Sequence, residues 1–356
     1  MKNSTADLKH DWRNSSVKRI GIGLVGAGFL AEKFAVCYRQ DPRVKLVAVS
    51  SRTENHARGF AEKHGIKAWY TDYEKMFERD DVDAVSICVP NFLHSSTTIS
   101  AAERGKHVLC TKPLATSMDQ ADKMVKACRR ANVKLMYGEN WLYTPAAERI
   151  RKIIEEGALG KLLAIEAREQ HSGSHSIYAT RKEYCGGGVL IHMAVHPIGF
   201  IMHIMRKPVR RVYAELGNLL HDIEVEDYAV LLMRFEGGGS GIAQSNYITR
   251  GGMQDRIEIY GSEGMAFVDL THANPIRIYS EIGYSYVVEK ASASRGWTSP
   301  VIDENYQYGF YNMVRHFVTC ILEDREPMST GEFGREVLRV ISAGYESSRK
   351  KIAVAL

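Results

Sequence analysis

The stretch that decides the fold is Arg19-Ile20-Gly21-Ile22-Gly23-Leu24-Val25-Gly26-Ala27-Gly28-Phe29-Leu30-Ala31. An apolar, β-branched run (Ile20, Ile22, Leu24, Val25) breaks at a Gly-x-Gly-x-x-Ala turn and passes straight into a helical pattern from Phe29 to Tyr38. In such a turn the first glycine allows the bend, the second lets the backbone approach a pyrophosphate, and the third small residue lets helix and strand close up. The diphosphate then rests on free N–H groups at the helix N-terminus. A glycine pair alone says little. This one has a strand before it and a helix after it, and so predicts a dinucleotide-binding unit with Gly26, Gly28, Phe29 and Leu30 at the cofactor.

Outward from that unit the alternation continues. Apolar runs at 19–26, 44–50, 67–70, 83–89, 107–110 and 133–137 read as strands, and 29–40, 54–64, 72–78, 92–104 and 117–131 as helices. Strand-helix alternation of this kind predicts an α/β domain with a doubly wound parallel sheet. Residues 1–17 are polar and read as a disordered leader, with the nucleotide domain over 18–141 and a second, α+β domain over 142–356. In the second domain an amphipathic helix follows Tyr143-Thr144-Pro145, with Ile150, Ile153 and Ile154 on one face. Alternating segments at 162–169, 209–217, 225–234, 240–248, 254–260, 264–269, 275–280 and 284–289 predict a largely antiparallel sheet. Helices near 303–323 and 333–350 close the chain.

Composition excludes several classes of function. Of 356 residues, 45% are hydrophobic and 25% charged, and the net charge is only +5. With no run of like charges and no long apolar stretch, neither nucleic acid nor membrane is an expected partner, while an anionic cofactor suits the mild positive balance. The six cysteines are scattered without a C-x-x-C pair. They read as reduced packing thiols of a cytoplasmic protein.

Ligands of doubly wound sheets lie beyond the carboxyl ends of the strands, and that rule selects residues. After the second strand come Ser50, Ser51 and Arg52, where an NAD enzyme usually has an acidic residue on the ribose. A hydroxyl and a guanidinium bind a 2′-phosphate that a carboxylate would repel, which favours NADP over NAD, although an arginine also stacks on adenine. The next strand ends in Pro90-Asn91-Phe92-Leu93-His94 and the following one in Cys110-Thr111-Lys112-Pro113. Both fall where the nicotinamide half would lie. A lysine fixed there can grip a substrate hydroxyl and exchange its proton, unless it is simply a surface lysine after a strand.

Together, Gly-x-Gly-x-x-Ala, Val89-Pro90-Asn91-x-x-His94, Gly105-Lys106-His107-Val108-Leu109-Cys110-x-Lys112-Pro113, the segment from Pro145 to Lys161 and a Gly186-Gly187-Gly188 helix ending in His196 resemble the family of glucose–fructose oxidoreductase and inositol 2-dehydrogenase. The resemblance runs from about residue 18 to 350. It implies a Rossmann domain, then an α+β domain with an open, mostly antiparallel sheet that serves as the interface of a dimer or tetramer. The implied reaction is reversible hydride transfer between a sugar or cyclitol carbinol and NAD(P).

The resemblance also assigns roles. His196 matches a histidine that faces the nicotinamide and would act as general base, with Lys112 stabilising charge on the same oxygen. His192 stands where the family has aspartate, one helical turn earlier, which removes a negative charge from beside Lys112. Thr111 replaces a usual glutamate and offers a ribose only a neutral hydroxyl. Asn140 would contact the carboxamide or a sugar hydroxyl, and Glu139 and Tyr143 the polyol. Trp141 offers a flat face for sugar C–H groups, or packs at the domain junction. The run Gln170 to Ser176, with His171 and His175, suits a hydroxylated ligand or a surface loop, and Arg181 adds positive charge for an acidic substrate. A metal site from His171, His175, His192 and His196 is disfavoured, because the first pair sits in a loop and hydride transfer needs no metal. A second reading is an NAD-dependent glycoside hydrolase or lyase working through transient C3 oxidation and elimination, and a third a nucleotide sensor.

Overall fold

A computed structural model describes residues 19–174, 176–271, 278–281, 296–298 and 303–356. The expected leader, His175 and the segment 284–289 lie outside the described residues.

In the first half β1 (Ile20–Val25), α1 (Phe29–Arg39), β2 (Val44–Ser50), α2 (Glu54–His64), β3 (Ala68–Tyr70), α3 (Tyr73–Phe77), β4 (Ala84–Ile87), α4 (His94–Glu103), β5 (His107–Thr111), α5 (Met118–Arg130) and β6 (Leu135–Gly138) follow one another. Their strands make one parallel sheet in the order β3-β2-β1-β4-β5-β6. This is the doubly wound order, reversing direction between β1 and β4, where a crevice opens. Every residue of β1 is buried, because helices cover both faces of a parallel sheet and leave no polar side to alternate.

The second half begins with α6 (Pro145–Glu155), started by proline in the first turn and by the Thr144 hydroxyl accepting from the Ala147 N–H. Then come β7 (Leu162–Gln170), α7 (Lys182–Cys185), α8 (Val189–His192), α9 (Val195–Met205), β8 (Val209–Gly217), β9 (Tyr228–Phe235), β10 (Ser240–Asn246), β11 (Gln254–Gly261), β12 (Met265–Asp269), the short pair β13 (Ile278–Ser280) and β14 (Gly296–Thr298), α10 (Glu304–Gln307), α11 (Phe310–Leu322), α12 (Gly331–Lys350) and β15 (Val354–Ala355). A seven-stranded sheet runs β12-β11-β7-β10-β9-β8-β15. It is antiparallel except that β7 and β10 pair in parallel. Helices α9 and α12 pack on one face, over Ile165, Ala167, Leu231 and Met233, the face on which Ile257 and Ile259 of β11 are also buried. The other face exposes Tyr213, Leu232, Met265 and Phe267.

The helix expected over 303–323 is two helices. Gly309 separates α10 from α11 at φ +78°, and a Cβ there would come within 2.6 Å of the Asn140 carbonyl oxygen. The close approach of the two segments, not a loss of helical pattern, imposes the break.

The end of the chain returns to the first domain. Lys33 on α1 pairs with Glu304 at 2.8 Å, Phe34 meets Phe310 edge-on, and the Arg43 guanidinium donates to Thr319 Oγ1 at 2.9 Å. Arg335 and Glu332 on α12 pair with Asp122 and Arg129 on α5. The Tyr137 N–H donates to the Ser329 carbonyl, and the Ser329 hydroxyl to the Tyr137 carbonyl.

All six cysteines are free, and burial pushes the thiols of Cys37, Cys128 and Cys185 up to about 12. Among the described residues no single helix is long and apolar enough to cross a membrane. The segments Lys182–His192 and Val195–Met205 have the length and composition only as a pair bent by 50°, and most of α9 is buried in the core.

Candidate active site

The glycine turn after β1 fits a dinucleotide. Gly26 donates its N–H to the Ser50 carbonyl and sits at φ +111°, where a Cβ would come within 2.3 Å of the Cys88 carbonyl oxygen. Gly28 is the reverse case. A Cβ there would meet nothing within 4 Å, and this residue caps α1 with extended backbone and no side-chain cap. The first turn of α1 carries N–H groups that have no partner within the helix, and the open space beside Gly28 leaves room for a diphosphate to take them. At the end of β2, the Ser51 N–H is used by the Tyr70 carbonyl and Arg52 is exposed.

Two expected cofactor contacts turn inward instead. His94 is fully buried at the start of α4, with Nδ1 2.8 Å from the Pro113 carbonyl oxygen and Nε2 3.0 Å from that of Val89; burial lowers its pKa. The Thr111 hydroxyl donates to the Ile87 carbonyl at 2.9 Å. Both tie together the loops that follow β4 and β5. Pro90 stays half-buried at the head of a 3-10 turn, and Asn91 donates to the Cys185 sulfur and carbonyl oxygen at 3.1 and 3.3 Å.

Strand register brings the chemistry together. Thr111 pairs with Gly138, so Lys112 and Glu139 leave adjacent strands side by side. The Lys112 ammonium donates to the His192 carbonyl at 2.6 Å. Glu139 is buried; its Oε1 accepts from the Trp141 N–H at 3.2 Å and lies 2.5 Å from His196 Nδ1. Trp141 spends its face on His196, stacked at 5.7 Å and 16°. Asn140 donates to the Tyr308 carbonyl, and Tyr143 hydrogen-bonds Ser329 rather than facing Lys112.

The glycine triplet is demanded by what it crosses. A Cβ on Gly187 would strike the Tyr345 hydroxyl at 2.0 Å, and one on Gly188 the Glu226 carbonyl at 2.1 Å. The Glu226 carboxylate accepts from the N–H groups of Gly188 and Leu190, which starts α8. The single helix expected to carry both His192 and His196 does not form. Pro197 has no N–H to give the Met193 carbonyl, so the helix stops at His192 and restarts at Val195 on an axis turned by 50°. His192 then points Nδ1 at the Cys185 sulfur, 3.4 Å away, and offers Lys112 its backbone oxygen.

Sequence reading missed Glu169 and Asp255. Glu169 is buried on β7 with Oε1 3.0 Å from His171 Nε2 and Oε2 3.9 Å from His196 Nε2. Burial by itself would raise this carboxyl, but the facing His196 and His171, with Lys112, outweigh it and hold it well below the usual carboxylate range. Asp255 on β11 pairs in register with Glu169, and one ligand atom each from Glu169, His171 and Asp255 lie within 4.8 Å of one another. The signal was there: both acids occupy inward positions of alternating strands, beside Ala167 and Ile257. Arg181 is exposed at the start of α7, and His175 lies outside the described residues. An ammonium and an imidazole backed by carboxylates are groups able to exchange a hydroxyl proton.

Comparison with known proteins agrees with this geometry. Residues 20–139 match the family model described as oxidoreductase family, NAD-binding Rossmann fold, and residues 147–267 match the GFO/IDH/MocA C-terminal domain. The chain is 26% identical to the myo-inositol 2-dehydrogenase of Thermotoga maritima, over 94% of this chain and 98% of that protein. It is 26% identical to the D-apiose dehydrogenase of Paraburkholderia graminis, over 96% and 91%. The solved structure of GenD2 from gentamicin A biosynthesis, in complex with NAD, superposes with a TM-score of 0.91 at 26% identity, covering 96% of this chain and 97% of that one. Glycine turn, strand order, paired domains and relatives agree: the chain belongs to the GFO/IDH/MocA oxidoreductase family.

Proposed function

We propose that the protein transfers a hydride between NAD(P) and a carbinol carbon of a sugar, sugar derivative or cyclitol. The observation that carries this reading is the register of β5 with β6, which sets Lys112 beside the Glu139 carboxylate that holds His196. His196 takes the hydroxyl proton during oxidation and returns it during reduction. Lys112 donates to the same oxygen and stabilises its developing charge. The nicotinamide, when bound, supplies the hydride acceptor. The diphosphate lies over Gly28, Phe29 and Leu30, and Ser51 with Arg52 receives the adenosine ribose and admits a 2′-phosphate, so NADP is used in preference to NAD. The relatives' substrates, myo-inositol and D-apiose, support the polyol class. We assign the protein to the cytoplasm as a homo-oligomer, joined through the sheet face that exposes Tyr213, Leu232, Met265 and Phe267.

The test is a panel of free sugars and cyclitols with each cofactor, followed by the absorbance of the reduced nicotinamide. Lys112→Ala and His196→Ala are expected to bind nucleotide as the wild type does and to lose turnover by about a hundredfold or more. Near-wild-type turnover in either variant overturns the role of that residue. Cleavage of nitrophenyl glycosides without added cofactor would replace this reading with the hydrolase.

A further inference from the structure

Two carboxylates face each other inside the protein. Glu169 on β7 stands directly opposite Asp255 on β11, while Ser245 on β10 faces Glu169 from the other side. Glu169 is 5% exposed and Asp255 1%. Like charges directly opposite each other on a sheet repel, and buried charges persist only with compensating partners. Those partners come from the site described above. His171, two residues on, takes Glu169 Oε1 at 3.0 Å, and Glu169 Oε2, buried and without a hydrogen bond, lies 3.9 Å from His196 Nε2. That gap is too long for a hydrogen bond but within ion-pair reach. On its other side His196 holds Glu139 at 2.5 Å. The result is an alternating series: Glu139, His196, Glu169, His171, Asp255.

Charge balance sets how this series behaves. Among the described residues, Lys112 from the end of β5, Glu139 after β6, His196 on α9, Tyr247 after β10, Asp255 on β11 and His171 just past the end of β7 are the titratable groups around Glu169. Three carboxylates are set against one lysine. The imidazoles of His196 and His171 therefore face a surplus of negative charge.

We propose that Glu169 is a positioning residue that holds His196 between two carboxylates, so that a second anion stabilises the imidazolium formed when His196 takes the proton of a substrate hydroxyl. This rests on the reading of His196 as the base. Removing the Glu169 charge leaves the imidazole with one anionic neighbour in place of two, so it releases its proton at lower pH.

The experiment reads the imidazole directly and needs no substrate. Histidine labelled with nitrogen-15 is titrated by NMR in the full-length protein with NADH added, the His196 signal being identified by its loss in His196→Gln. In Glu169→Gln the His196 midpoint is expected to fall by about one pH unit, in Asp255→Asn by less, and in Glu169→Asp to return toward the wild type, with NADH affinity unchanged throughout. A His196 midpoint that stays put in both Glu169→Gln and Asp255→Asn overturns the proposal. If Glu169→Gln does not fold, Asp255→Asn alone decides. A stoichiometric divalent metal in the purified protein, with His196 shifting on chelation, also overturns it, since Glu169, His171 and Asp255 would then be ligands. Turnover retained by His196→Ala would remove the base itself, a result distinct from any of these.

Discussion

Replacing Gly28 and Gly26 one at a time separates nucleotide binding from folding. At Gly28 an added methyl group meets nothing within 4 Å and the backbone is already extended, at φ −97° and ψ −169°. Gly→Ala at a compatible backbone position gains about 0.4–1 kcal/mol by restricting the unfolded chain. Alanine is a poorer N-cap than glycine by a similar amount. These effects nearly cancel, so the stability of Gly28→Ala stays within about 0.5 kcal/mol of wild type. The methyl group does occupy the space a diphosphate needs. Losing one backbone hydrogen bond to a charged phosphate costs about 1.5–3 kcal/mol, or roughly tenfold to a hundredfold in Kd. Gly26→Ala behaves oppositely: φ +111° is strained for any side chain, and the new Cβ would lie 2.3 Å from the Cys88 carbonyl oxygen. It should cost at least about 2 kcal/mol of stability. The assays are thermal melting of each variant without nucleotide and NADH fluorescence titration of those that stay folded. Wild-type NADH affinity in Gly28→Ala would refute the placement of the diphosphate, and a wild-type melting temperature in Gly26→Ala would refute the close approach of β1 and β4.

Other outcomes follow from single residues. Arg52→Ala should weaken NADP more than NAD in parallel titrations; equal losses would remove the 2′-phosphate contact. His203 on α9 has its pKa lowered to about 4 by burial, with Arg151 and Arg206 adding to the effect, and its Nε2 makes no hydrogen bond. The folded state keeps this ring neutral while the unfolded chain protonates it near 6.5. Its contribution is therefore complete above pH 6.5, is lost as the pH falls toward 4, and amounts to about 3 kcal/mol. Urea denaturation of His203→Phe should show a shallower loss of stability across that window, and an unchanged slope would place the acid sensitivity elsewhere.

The first domain was legible because its signals are local: β1, its glycine turn and α1 are adjacent in sequence, and a strand buried on both faces is apolar throughout. Lys112 was legible for the same reason, standing between an apolar strand and a proline. The candidate site was less so. That Glu139 holds His196 depends on a helix delivered from the second domain, and the Glu169–Asp255 pair on the register of two strands far apart in sequence. Pro197 was visible, but the i, i+4 spacing of the two histidines was read as one face of a continuous helix, which Pro197 breaks. Tyr143 and His94 carry the right chemistry in the right segments. Their orientation is set by Ser329 and by the Pro113 and Val89 carbonyls, contacts that no local pattern encodes.

The return of residues 303–356 to α1, α5 and β6 bears on how the molecule can be handled. A fragment cut after residue 141 would strip the outer surface of α1 of Glu304 and Phe310, and leave Asp122 and the Tyr137 backbone groups without the partners they now have. Such a piece should be insoluble when expressed alone, whereas co-expression with the remainder should rescue it. The same contacts tie the two lobes together through residues 303–356, so the first lobe keeps its outer surface covered only while the chain is whole.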